Sequence, residues 1–150
     1  MQRMKTVAVS PVIATILMVA IAVVLVAVLY IMALNMMPST GKPAPLATLI
    51  GEPKGENLYQ LTVAGIDKKY NLDHYKVIFL INDTIDNNSC ISSLSEGTFG
   101  NVTFHDVGDD GKLSNGDFFT VTITHNHKYE LIIVFKMTGD TVASYTWVTS

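Results

Sequence analysis

From Val12 to Leu34 the chain runs for 23 residues with Thr15 as its only clearly polar side chain. About 20 apolar residues cross a bilayer core as a helix, so the run is long enough to span with modest tilt. It is apolar on every face, through Val12, Ile13, Ile16, Leu17, Val24 and Leu29 among others. Such a helix must be covered on all sides, by lipid or by protein. Ser10 is placed to cap it and Pro11 suits the first helical position, where a missing N–H costs nothing. Asn35 interrupts the run, and the string Pro38-Ser39-Thr40-Gly41-Lys42-Pro43 cannot continue a helix.

Charge divides the chain in the same place. Residues 1–50 carry Arg3, Lys5 and Lys42 and no acid, a side-chain charge of +3; residues 51–150 carry seven Lys and Arg against thirteen Asp and Glu, a charge of −6. A net −3 gives no electrostatic case for nucleic-acid binding. Arg3 and Lys5 place the N-terminus on the cytoplasmic side of a membrane. Three readings of the segment follow. A secretory signal peptide has an apolar core of about 7–15 residues followed by a small-residue cleavage site; here the core is longer, and Leu34-Asn35-Met36-Met37 offers no such site. A permanent single-pass anchor is the second reading. The third is a short basic leader cut off ahead of the apolar segment, which leaves the helix in the mature protein.

The residues Ala8-Val9-Ser10-Pro11-Val12-Ile13-Ala14-Thr15-Ile16-Leu17-Met18-Val19-Ala20-Ile21-Ala22 resemble the N-terminal signature of archaeal type IV pilins. That resemblance implies that residues 1–7 are a leader, removed on the cytoplasmic side by a membrane prepilin peptidase. The cut would fall just before Ala8 or between Thr6 and Val7. No glutamate stands near the fifth mature position, as is usual for the archaeal group. The resemblance further implies that residues 8–37 form an assembly helix, waiting in the membrane and then packing against identical subunits in a surface filament used for attachment. Ser10, Pro11, Val12, Ile13, Ile16, Leu17, Ala20, Val24 and Ala27 would carry those contacts. The alanines at 14, 20, 22, 27 and 33 allow close approach, in a filament or in lipid.

Residues 38–57, with four prolines and three glycines, read as a linker. Residues 58–150 read as strands: Leu58–Ile66, Tyr75–Asn82, Asn101–Asp106, Phe118–His125, Tyr129–Met137 and Val142–Thr149 are rich in β-branched and aromatic residues. Phe119-Val121-Ile123 alternates with Thr120-Thr122-Thr124, the period of a half-buried strand. The continuously apolar 131–135 suits a strand covered on both faces. His125-Asn126-His127-Lys128 and Thr138-Gly139-Asp140 look like hairpin turns. The expected class is α+β: a long apolar helix, then an antiparallel β-sandwich-like domain.

Three constellations carry candidate chemistry. Residues 106–117 resemble a twelve-residue calcium loop of EF-hand or dockerin type, with Asp106 at position 1, Asp110 at 5, Gly111 at 6, Ser114 at 9 and Asp117 at 12. Gly108 occupies position 3, where Asp109 would have to substitute, and Asp117 is shorter than the usual bidentate Glu. A structural Ca2+ site and an acidic hairpin loop without an ion both fit. Asn82-Asp83-Thr84, Asn87-Asn88-Ser89 and Asn101-Val102-Thr103 are three N-glycosylation sequons within twenty residues; the pilin resemblance implies glycosylation. His125 and His127 lack a third zinc ligand and read as turn residues. The single cysteine, Cys90, excludes an internal disulfide. Tyr145 and Trp147 share one strand face and read as core. No Ser-His-Asp order, phosphate loop or paired-carboxylate motif stands out, so the expected role is structural rather than enzymatic.

Overall fold

The computed structural model of the chain describes residues 10–36 and 43–150 and divides into two units, Met1–Thr40 and Gly41–Ser150. The leader residues Thr6, Val7 and Ala8 lie outside the described residues.

The first unit holds helix α1, Pro11–Met36, of 26 residues. At about 1.5 Å per residue it is roughly 39 Å long. The Ser10 carbonyl accepts from the N–H groups of Ile13 (2.9 Å) and Ala14 (3.2 Å) and so closes the first turn. No acid stands in the first turn and no base in the last, so the termini have no charged side chain to complement the helix dipole.

The second unit is a sandwich of two antiparallel sheets, in agreement with the α+β expectation. Its strands are β1 (Ala47–Pro53), β2 (Leu58–Ile66), β3 (Tyr75–Ile81), β4 (Thr84–Ile85), β5 (Gly97–Phe99), β6 (Val102–His105), β7 (Phe118–Thr122), β8 (Lys128–Phe135) and β9 (Thr141–Val148). One sheet has the order β1-β2-β7-β6-β5, the other β4-β3-β8-β9. Side chains alternate across each strand, and the inward set forms one core. Leu61 and Val63 (β2), Val102 and Phe104 (β6) and Phe119 and Val121 (β7) come from the first sheet; Val77 and Phe79 (β3) and Leu131 and Ile133 (β8) come from the second. Phe104 and Phe119 are direct cross-strand partners with ring centroids 4.8 Å apart, a pair whose value exceeds its buried area by about 0.5–1.5 kcal/mol.

The segment read as a linker, 38–57, contains a strand. β1 pairs with β2 from Ala47↔Ile66 to Pro53↔Tyr59, with a bulge between Thr48 and Leu49. Leu49 is buried in the core. Gly51 and Pro53 looked like breakers, and each has a local reason to be there. Pro53 is the last residue of an edge strand, where a missing N–H breaks no ladder. A Cβ built on Gly51 would lie 2.6 Å from ring carbons of both Tyr59 and Tyr145, so the residue is glycine because two rings occupy the side-chain space. Gly51→Ala is expected to overpack this corner and cost about 1–3 kcal/mol, read as a lowered thermal midpoint of the detergent-solubilised chain. An unchanged midpoint would mean that the rings move aside freely.

Two further readings change. His125-Asn126-His127-Lys128 is not a hairpin turn: β7 and β8 lie in different sheets, and this segment crosses between them. The Tyr129 hydroxyl accepts from the Thr124 N–H (2.8 Å), and Thr149 Oγ1 donates to the Thr124 carbonyl (2.7 Å), which ties the crossing down. Thr138-Gly139-Asp140 does join the paired strands β8 and β9. Strand β8 is interior to its sheet, yet Lys128, Glu130 and Ile132 on its outer face are only half-buried among the described residues. Val134 is buried where the ladder with β9 shifts register at Ile133/Val134.

Candidate functional site

The surface of α1 is the most unusual feature of the chain. Its side chains are exposed along the helix, with Leu17 at 59% and Val24 at 61%. A soluble protein does not present so much contiguous apolar surface to water. The stretch Pro11–Leu34 is long and apolar enough to cross a bilayer. The Thr15 hydroxyl is already satisfied: its Oγ1 donates to the Val12 carbonyl at 2.8 Å, so moving that part of the helix into an apolar medium leaves no unmade hydrogen bond at Thr15. Two shallow depressions mark the surface. Leu17, Ala20, Ile21, Val24 and Leu25 line one; Val19, Ala22, Val23 and Val26 line the other. At about 100° per residue the two stripes lie on opposite faces of the helix, each with an alanine in its lining. Ser10, Pro11, Val12, Ile13, Ile16 and Ala27 are likewise exposed.

The acidic loop 106–117 is an internally bonded structure. Asp117 is wholly buried. Its Oδ1 accepts from the Val107 N–H (3.1 Å), and its Oδ2 accepts from the Ser114 N–H (2.7 Å) and the Ser114 hydroxyl (3.3 Å). Burial pushes its pKa up, against the pull of those hydrogen bonds. Asp106 Oδ2 accepts from the Gly111 N–H (3.0 Å) and Asp110 Oδ1 from the Lys112 N–H (2.9 Å). Gly111 has φ +67, the left-handed conformation that glycine adopts without strain. Buried Leu113 anchors the loop, with its N–H bonded to the Tyr70 carbonyl at 3.2 Å. Of the five residues of the calcium reading, Asp106, Asp109, Asp110, Ser114 and Asp117, three carry hydrogen bonds to backbone N–H groups through their carboxylates: Asp106, Asp110 and Asp117. Asp117 faces inward and serves backbone, while Asp109 and Asp110 are exposed. Among the described residues no group of three or more His, Cys, Asp or Glu side chains is placed to hold a metal ion.

The three sequons differ sharply. Asn82 adopts φ +50 and Asp83 φ +63 in the turn between β3 and β4. The Asn82 carboxamide is held at both ends, with Nδ2 3.0 Å from His127 Nδ1 and Oδ1 accepting from the Lys128 N–H at 2.9 Å. In the Asn87 sequon the hydroxyl residue, Ser89, is wholly buried; it donates to Asp86 Oδ2 (2.6 Å) and accepts from the Asn101 N–H (2.9 Å). Asn101 is exposed at a hairpin tip.

Cys90 is half-buried, with its sulfur 3.4 Å from the Phe79 backbone nitrogen, which donates to it. His125 and His127 lie in the crossing segment. Trp147 is a core residue, stacked on Tyr59 (4.8 Å) and Tyr129 (5.4 Å). Tyr145 is half-buried, its hydroxyl 3.4 Å from that of Tyr59. Burial, then the hydrogen bond with Tyr145, pushes the Tyr59 hydroxyl up to about 12. The sequence signal for this corner was Gly51 facing a Tyr-x-Trp strand, and its meaning depends on a β1 strand that was not legible.

These features define a class: a chain with one apolar helix of membrane-spanning length ahead of a two-sheet β domain. Residues 7–49 match the family model described as archaeal type IV pilin, N-terminal. The structure is also similar to the archaellum periplasmic stator protein FlaG from Sulfolobus acidocaldarius, at 19% identity and a TM-score of 0.43, over 68% of this chain and 100% of that one. A second similar structure is the archaellum periplasmic stator protein complex FlaF and FlaG from the same organism, at 16% identity and a TM-score of 0.44, over 75% of this chain and 95% of that one. No curated protein matches the chain.

Proposed function

We propose that the chain is the structural subunit of a type IV pilus-like filament on the cell surface, used for attachment. On this reading a prepilin peptidase removes residues 1–7, the subunit waits in the membrane, and the assembly machinery packs its helix against those of identical subunits. The observation that carries the reading is α1: apolar and exposed on every face, with the Thr15 hydroxyl internally satisfied. Transfer from lipid to a bundle of like helices is near-neutral only for such a helix, because neither medium offers water to a polar group. The depressions on opposite faces, each with an alanine in its lining, suit a helix that has neighbours on both sides. The match over residues 7–49 supports the same reading.

The mature N-terminus tests it. Sequencing the chain isolated from the cells that make it should give a terminus at Val7 or Ala8, and electron microscopy should find the chain in filaments. Met1 retained would favour a single-pass anchored protein whose β domain binds a partner. A terminus beyond Met37 would leave a secreted domain behind a signal peptide and sink the filament.

A further inference from the structure

We propose that Asn101 is the N-glycosylation site of the β domain, and that the sequons at Asn82 and Asn87 stay unmodified. The inference rests on the domain facing away from the cytoplasm, as the proposed function requires. The three sequons are equivalent as sequence, and the fold separates them by what each makes available. Modification needs an exposed Asn with a free carboxamide nitrogen and a reachable hydroxyl two residues on.

Asn101 meets both conditions. It is the second residue of a two-residue loop between β5 and β6, where Phe99 pairs with Val102. Gly100 occupies the first loop position at φ +54, the glycine-first pattern of a type II′ hairpin. The Asn101 backbone is fixed: its N–H donates to Ser89 Oγ (2.9 Å) and its carbonyl accepts from the Thr122 N–H (2.8 Å). Its exposed side chain makes no hydrogen bond among the described residues. Thr103 lies on the outer face of β6, between buried Val102 and Phe104, and shares a surface hydrogen bond with Thr98 Oγ1 at 3.0 Å. A rigid backbone thus presents a free carboxamide at the tip of the β5–β6 hairpin and a surface hydroxyl two residues on, on the outer face of β6.

The other two fail in different ways. Asn82 holds Lys128 and His127 with both ends of its carboxamide, so a sugar on Nδ2 would intrude on the contact that closes the β3–β4 turn over β8. Ser89 is wholly buried and bonded twice, so the Asn87 sequon has no reachable hydroxyl in the folded domain.

The co-reactant is a saccharide activated on a lipid phosphate. The bond from Asn101 Nδ2 to the anomeric carbon forms, the bond from that carbon to the phosphate oxygen breaks, the lipid phosphate leaves, and one Nδ2 proton goes to solvent. Nothing is oxidised or reduced.

Mass spectrometry of the full chain from the cells that make it tests the assignment. Cleavage after Glu96 separates Asn101 from Asn82 and Asn87. The Asn101 fragment should carry a saccharide mass that Asn101→Gln removes completely and Asn82→Gln leaves in place. Thr103→Val should also remove it while Thr103→Ser keeps it, which separates loss of the sequon from a change in the fold. An unmodified Asn101 fragment, or the mass on the fragment holding Asn82 and Asn87, overturns the proposal. The N-terminal peptide of the same sample judges the filament reading separately. A terminus at Val7 or Ala8 with a bare Asn101 fragment fails the site alone, whereas Met1 retained with a modified Asn101 fragment fails the filament and keeps the site.

Discussion

Val24→Lys should abolish incorporation of the subunit into filaments, while Val24→Leu should leave assembly intact. Val24 lies near the middle of the apolar segment Pro11–Leu34 and lines one of the two depressions on α1. A lysine at the centre of a membrane helix costs about 2.5–3.5 kcal/mol on insertion scales, a cost that many helices survive with snorkelling. Inside a bundle of like helices the side chain has no water to reach, and every neighbouring copy carries the same charge. The described part of α1 has no acid to pair with it. An uncompensated buried charge costs several kcal/mol per subunit, and the term repeats at each copy. The measurement is filament yield by electron microscopy set against the amount of precursor in the membrane fraction. Normal membrane levels with no filaments is the expected outcome. Wild-type filaments carrying V24K would show that this face of α1 stays in contact with lipid or solvent, and would remove the packing argument for the proposed function.

The contrast between the two units explains what was readable beforehand. α1 needs no tertiary information: an unbroken apolar run with Pro11 at its start defines the helix and its surroundings together. Strand β7 was also legible, because Phe119 and Val121 alternate with threonines over one buried face. Strand β1 was not, since Gly51 and Pro53 are exceptions licensed by Tyr59, Tyr145 and an edge position that only the folded sheet supplies. Strands β4 and β5 are two and three residues long and exist because longer neighbours pair with them. The sequons were visible as patterns, whereas the burial of Ser89 and the clamp on Asn82 are products of β3, β8 and the β5–β6 hairpin meeting in space. The acidic loop shows the same limit most plainly. Its spacing suggested side chains converging on an ion, but the direction of Asp117 is decided by the backbone on either side. The Asp117 carbonyl accepts from the Val63 N–H (2.8 Å), and the Gly116 N–H donates to the Val63 carbonyl (2.9 Å). This pairing with β2 draws Asp117 inward.

Asp117→Ala is accordingly expected to be the most damaging single change in the acidic loop, at about 3–5 kcal/mol. It strands the Val107 and Ser114 N–H groups, each of which now donates to a buried carboxylate, and bonds to a charged group are worth about 1.5–3 kcal/mol apiece. Asp117→Asn keeps the volume but turns one oxygen into an NH2 group, which must face one of those two donors; about 1–3 kcal/mol is expected. The pH dependence distinguishes this account from simple loss of packing. Burial raises the Asp117 pKa in the folded chain above its unfolded value, so in the window between the two the folded state binds more protons. Its contribution to stability is then fully present below the unfolded pKa and is lost as pH rises through the folded one. D117N has no such titration. The stability gap between wild type and D117N should therefore widen as pH falls from 7 toward 4, measured by thermal unfolding of the full chain in detergent at each pH. A gap that narrows over that range would mean that the hydrogen bonds from Val107 and Ser114 outweigh desolvation and hold the carboxylate ionised, reversing the balance assigned to the centre of the loop.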